Sequence, residues 1–182
     1  MPQWVNVPNL FTLLRLFLAP VVIQAILDGK HLAALAVFAG AAATDVIDGA
    51  AARHFRMSTQ AGAYLDPIAD KCLLSGVYLA LAVAGIVPWW LVAIIFGRDL
   101  YIVLGVATVM LLTSVRRFPP SMWGKASTFA QIVTAVAWMA RDAFQVPVLD
   151  LFARFMLWPC AALTIVSGMH YTWRGVRMAR AH

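Results

Sequence analysis

Four aspartates occur as two pairs, Asp45 with Asp48 and Asp66 with Asp70, inside stretches that otherwise read as apolar helix. The spacings i,i+3 and i,i+4 put each pair on one helix face. The chain has eight acidic residues, and half of them sit in this window. A carboxylate within a bilayer costs about 3 kcal/mol or more unless it is paired or bound to a cation. Four converging carboxylates would also repel one another, so a divalent cation site is the economical reading. Hard oxygen ligands suit Mg²⁺, Mn²⁺ or Ca²⁺. Zinc is disfavoured, because no Cys or His accompanies the aspartates. Two ions match the ligand count and the two-metal arrangement used for displacement at phosphorus.

The residues around the pairs have two readings each. Gly49, Ala52 and Gly62 leave room for a flat group beside the backbone, or they only let helices approach closely. Arg53 either contacts a phosphate or snorkels to the membrane interface. The pair Arg98-Asp99 falls inside an apolar stretch, where it is either a substrate contact or a structural ion pair.

The elements that position these residues follow from composition. Of 182 residues, 63% are hydrophobic and 12% charged, and the mean hydropathy is +0.82. A soluble domain carries about a quarter charged residues. The expected fold is therefore an all-α integral membrane protein of six transmembrane helices in a single domain over residues 1–182. The apolar stretches run from about Pro8 to Leu27, His31 to Arg53, Gly62 to Val87, just past Pro88 to Ser114, Trp123 to Met139, and Leu149 to Trp173. Asp28-Gly29-Lys30 and Pro88-Trp89-Trp90 read as turns, Val115 to Pro120 as a polar loop, and Arg141 to Pro147 as a connector. No basic segment followed by a small-residue cleavage site opens the chain, so no removable signal peptide is expected. Cys72 and Cys160 lie in apolar stretches and read as buried free thiols.

The net charge of +6 and pI near 9.9 point to basic loops facing anionic lipid, with no nucleic-acid partner. One set of connections holds Arg53, Arg56, Arg116, Arg117, Lys125, Arg174, Arg177 and Arg180; the other holds Lys30, Arg141 and Arg154. The positive-inside rule puts the first set, both termini and the aspartate cluster on the cytoplasmic side. The expected location is a bacterial inner membrane.

The pattern Asp-x2-Asp-Gly-x2-Ala-Arg-x8-Gly-x3-Asp-x3-Asp, occupied by Asp45, Asp48, Gly49, Ala52, Arg53, Gly62, Asp66 and Asp70, resembles the signature of the CDP-alcohol phosphatidyltransferase family. Val7-Pro8-Asn9-Leu10 with Arg15, Asp70-Lys71 and Gly124-Lys125 extend the similarity over nearly the whole chain. The resemblance implies a six-helix membrane enzyme, usually a homodimer, that takes CDP-diacylglycerol, needs a divalent-metal pair (Mg²⁺ or Mn²⁺) and releases CMP. Asp45, Asp48, Asp66 and Asp70 would be the metal ligands, and Asp70 also the base for the acceptor hydroxyl. Gly49, Ala52 and Gly62 would line the cytidine site, and Arg53 would help hold the diphosphate.

The acceptor reading rests on Arg98, Asp99, Arg116, Arg117 and Lys125. In phosphatidylglycerophosphate synthases of this family the fourth span reads Ala-Arg-Glu with a second Arg further on, and the fifth opens Gly-Lys-x-Lys-Thr. Here the fourth reads Gly97-Arg98-Asp99, Val106 replaces the second Arg, and Ser127 replaces the second Lys. That is more similar to cardiolipin synthases of the mitochondrial type, which implies phosphatidylglycerol as acceptor. Glycerol 3-phosphate is the alternative, its phosphate held by Arg116, Arg117 and Lys125. An ion-coupled transporter is the competing class, but its carboxylates would be spread along a midplane pathway.

The four-carboxylate cluster makes one expectation general to both acceptors. CMP release from CDP-diacylglycerol should fall to background in excess chelator and return with Mg²⁺ or Mn²⁺; full turnover in chelator would remove the metal reading.

Overall fold

The computed structural model describes residues 7–55, 60–112 and 121–179, with side chains at 14–43, 70–105, 107–108 and 121–174. The described residues form six helices and no strand: α1 Val7–Leu27, α2 His31–Phe55, α3 Gln60–Val83, α4 Trp89–Leu112, α5 Met122–Phe144 and α6 Pro147–Ala179. The expected polar loop at Val115 to Pro120 lies outside the described residues.

Turn chemistry reverses the chain at the end remote from the aspartates. After α1, Gly29 adopts φ 71°, its N–H donates to the Ile26 carbonyl, and Lys30 N–H donates to that of Ala25. After α3, Gly85 at φ 73° does the same with Ala82, and Ile86 N–H reaches Leu81. Both are Schellman endings, which need the left-handed backbone that glycine adopts without strain. The third reversal is shorter than the sequence suggests. α5 continues past Arg141 to Phe144, and only Gln145 and Val146 join it to α6. Gln145, at φ 52° and ψ 36°, closes α5 by donating to the Arg141 carbonyl. Arg141 also lies over the Trp138 ring at 4.7 Å and pairs with Asp150 at 2.7 Å, so its charge stitches α5 to α6 instead of breaking the helix.

The core is apolar and tightly packed where α1 crosses α2 and α3 and where α5 pairs with α6. Val22 and Ile26 of α1 and Val77 and Leu81 of α3 are fully buried or nearly so. α3 touches α4 and α5 only sparsely, which leaves a gap beside it. Large apolar side chains face outward on every helix, among them Phe17, Leu32, Val83, Leu104, Phe129 and Trp158. Within the described residues, Pro147–Arg174 is long and apolar enough to cross a membrane, with a mean hydropathy of 1.6 and 22% of it buried. Cys160 is buried as expected, but Cys72 is exposed. Leu73 beside Cys72 takes the inward position, because one residue turns the helix by about 100°.

The α1–α3 seam depends on Gly76. A Cβ there would stand 2.7 Å from Ile23 Cδ1, so the missing side chain sets how closely the helices approach. Gly76→Leu should cost about 1–3 kcal/mol of stability by overpacking, and Ile23→Ala in the same chain should recover part of it. Thermal unfolding in detergent measures both; an unchanged midpoint in Gly76→Leu would dismiss the close-approach account.

Candidate active site

Asp45, Asp48, Gly49, Ala52 and Arg53 fall on the C-terminal half of α2, and Gly62, Asp66 and Asp70 on the N-terminal half of α3. Both aspartate pairs therefore have the helical backbone their spacing requires, and each shares one face. Asp70 is the member of the four whose side chain is described. The side chains of the other seven signature positions, and Arg116 and Arg117, lie outside the described residues. The donor set is all carboxylate oxygen, which fits Mg²⁺ or Mn²⁺.

Asp70 forms an ion pair with Arg15 of α1. Arg15 is 5% exposed although it sits in an apolar helix. A guanidinium this deep is stable only with its charge matched, so the pair holds α1 to α3 and gives the Asp70 carboxylate a fixed neighbour. The sequence placed Arg15 only by resemblance, since its partner lies 55 residues away.

A second charged group stands across the gap on α4. Asp99 receives Arg98 at 2.8 Å and also pairs with Lys71 of α3. Arg98 reaches on to α6, donating from Nη2 to Ser167 Oγ at 2.6 Å and lying 5.8 Å from the centre of the Tyr171 ring. The two residues thus divide their roles. Arg98 fastens α4 to α6, as a structural ion pair would, while Asp99 faces the space beside Asp70.

That space is a cleft of about 210 Å³ between α3, α4 and α5. Asp70, Lys71, Leu74 and Ser75 form one wall, Ile95 and Asp99 another, and Thr128 and Gln131 the third. Its charged residues lie about three helical turns from the ends of their helices. Wider, shallower grooves of about 580 and 520 Å³ around His31 and Asp142 lie at the opposite end, away from every signature residue. Lys125 is exposed, on the same helix as Thr128. Ser127, in contrast, is fully buried and bonds Thr164 of α6 at 3.2 Å.

Sequence reasoning passed over Lys71 as an ion partner, and Ser75, Thr128 and Gln131 as cleft residues. A signal was present for the last. Ser127, Gln131 and Thr134 recur at i, i+4 and i+7 in α5, the spacing of a single face, and Thr164 and Ser167 form a matching polar strip on α6.

Residues 5–166 match the model of the CDP-alcohol phosphatidyltransferase family. A probable phosphatidylglycerophosphate synthase of Mycobacterium tuberculosis is 37% identical over 94% of this chain and 82% of its own. The CDP-diacylglycerol–glycerol-3-phosphate 3-phosphatidyltransferase of Bacillus subtilis is 33% identical, covering 91% of this chain and 93% of its own. The CMP-forming cardiolipin synthase of Rattus norvegicus is 32% identical over 91% of this chain and 59% of its own. With the signature residues on α2 and α3 and a polar cleft beside Asp70, the chain belongs to the CDP-alcohol phosphatidyltransferase family, membrane-associated enzymes of phospholipid synthesis.

Proposed function

We propose that the protein transfers the phosphatidyl group of CDP-diacylglycerol to a glycerol-type alcohol seated in the Asp70 cleft. The observation that carries this is the position of Asp70, which is at once the last residue of the acidic signature and part of the wall of the polar cleft. An acceptor hydroxyl in the cleft donates its proton to Asp70. Its oxygen forms the new bond to the phosphorus that carries the diacylglycerol, and the bond from that phosphorus to CMP breaks. Asp45, Asp48, Asp66 and Asp70 hold the divalent cations, and Arg53 steadies the diphosphate. Bound there, the metal pair supplies neutralisation of the diphosphate and of departing CMP. Gly49, Ala52 and Gly62 leave the space for cytidine.

The acceptor we favour is phosphatidylglycerol, giving cardiolipin. Lys71 and Arg98 already share Asp99, and Arg15 is paired with Asp70. The single net positive charge this leaves is short of what a phosphate dianion calls for, and burial of that dianion without partners is costly. The neutral terminal glycerol of phosphatidylglycerol has no such need. Glycerol 3-phosphate is the second reading, and the names and higher identities of the Mycobacterium and Bacillus relatives favour it. Lys125, Arg116 and Arg117 would then carry the phosphate. The accompanying topology is six spans in a bacterial inner membrane, with the cleft and both termini cytoplasmic and the chain a homodimer. Outward apolar residues on every helix support the membrane part of this reading.

Two outcomes test the assignment. Purified protein with CDP-diacylglycerol, offered phosphatidylglycerol and glycerol 3-phosphate separately, should yield cardiolipin by mass spectrometry and little phosphatidylglycerophosphate; the reverse product ratio would hand the site to the second acceptor. Arg15→Met should lower turnover about tenfold to hundredfold by freeing the Asp70 carboxylate from its set position, with Arg15→Lys only partly restoring it. Unimpaired turnover in Arg15→Met would remove the positioning role.

A further inference from the structure

We propose that Gln131 is the specificity residue that recognises the acceptor's second hydroxyl, the one on the carbon beside the attacking oxygen. The inference rests on the Asp70 cleft being the acceptor site. It holds for either acceptor, because a glycerol headgroup and glycerol 3-phosphate share this vicinal pair of hydroxyls.

The hydrogens available around Gln131 fix the orientation of its amide. Gln131 is 3% exposed, and its amide lies against two hydroxyls on the side away from the cleft. Thr164 Oγ1 donates to the Cys160 carbonyl at 2.7 Å, which commits its one hydrogen. Ser127 must therefore donate to Thr164 across their 3.2 Å contact, which commits the hydrogen of Ser127. Both hydroxyls can then only accept from Gln131. Its Nε2 does donate to them, at 3.2 Å to Thr164 and 3.4 Å to Ser127. The amide orientation is thus determined by its neighbours, and Oε1 is the atom left over. The Tyr78 hydroxyl, at 2.8 Å, donates to the Gln131 main-chain carbonyl and anchors the backbone without using the side chain. Among the described residues no group donates to Oε1, and Gln131 is part of the cleft wall.

An amide carbonyl held rigid at the edge of a polar cleft asks for an O–H donor. Two other polar groups of the wall are committed elsewhere. Thr128 Oγ1 donates to the Gly124 carbonyl at 3.1 Å, and Lys71 is paired with Asp99. The cleft volume of about 210 Å³ equals about seven waters of liquid, enough for a three-carbon polyol. With one hydroxyl on Asp70 and its neighbour on Gln131, the glycerol unit is fixed at two points, and the attacking oxygen is oriented by the second.

The test compares acceptors with and without that hydroxyl: glycerol 3-phosphate against 3-hydroxypropyl phosphate, and phosphatidylglycerol against phosphatidylpropane-1,3-diol. Wild type should prefer the hydroxylated member of the productive pair by about tenfold to hundredfold in kcat/KM. Gln131→Met should bring the two within about twofold while leaving KM for CDP-diacylglycerol unchanged, and Gln131→Glu, which loses both Nε2 donations that hold the side chain, should not restore the preference. Should Gln131→Met not fold, Thr164→Val removes one anchor of the amide and should cut the preference at least threefold. Preference that persists in Gln131→Met, or in Thr164→Val, overturns the proposal, as does its absence from wild type. Absence of transfer to all four acceptors would overturn the cleft's acceptor role as well, which distinguishes the two failures.

Discussion

The ion pair between Arg15 and Asp70 is the contact on which the working end of the bundle depends. Neither charge is stable alone between apolar helices, and removing one partner leaves the other uncompensated. Matched, they fasten α1 to α3 at the depth where the acidic signature ends. The tight α1–α3 seam around Gly76 and Ile23 continues that contact along the same two helices. Asp70 is thereby held on a well-packed element while its carboxylate stays partly open, 43% exposed. The proton-accepting role proposed for Asp70 calls for that combination of fixed position and access.

The same rule of matched charge shapes α4. Asp99 draws Lys71 from α3 and Arg98 from its own helix, and Arg98 continues to Ser167 and Tyr171 of α6. Long polar bridges take the place of close apolar packing here, and the helices stand far enough apart for the cleft to open between α3, α4 and α5. Behind it, α5 and α6 share a hydrogen-bonded strip of Ser127, Gln131, Thr134 and Thr164, in which the Gln131 Oε1 atom alone is left for the cleft. The opposite end of the bundle uses its charges for closure only, with Arg141 and Arg154 both on Asp150.

The donor and the acceptor place different demands on this scaffold. In the proposed reaction a diphosphate and a leaving nucleotide call for concentrated positive charge, which the carboxylates would supply by gathering divalent cations. A glycerol hydroxyl calls for neutral, directional hydrogen bonds, which the cleft offers in Gln131, while the Lys71–Asp99–Arg98 group keeps one net positive charge. Separating an ionic half from a hydrogen-bonding half lets related proteins share the first and change the second. The relatives, which match over similar spans yet are named for different products, fit that division.

The amino-acid sequence alone determined the helical character, the number of helices and the family. Each of these depends on residues near one another in the chain. Asp45 and Asp48, or Asp66 and Asp70, are brought together by one turn of helix, and apolar runs mark helices by length. It misjudged Cys72 and the length of α5, because which face turns inward and where a helix stops depend on neighbours elsewhere. Only the tertiary structure paired Arg15 with Asp70, Lys71 with Asp99, and Gln131 with Thr164. These contacts join helices far apart in sequence, and they follow from the rotation and crossing of each helix against the others. The spacing of Ser127, Gln131 and Thr134 was legible as a polar face, but not what it faced. That part was decided by the packing of α5 against α6 on one side and the sparse contact with α3 on the other.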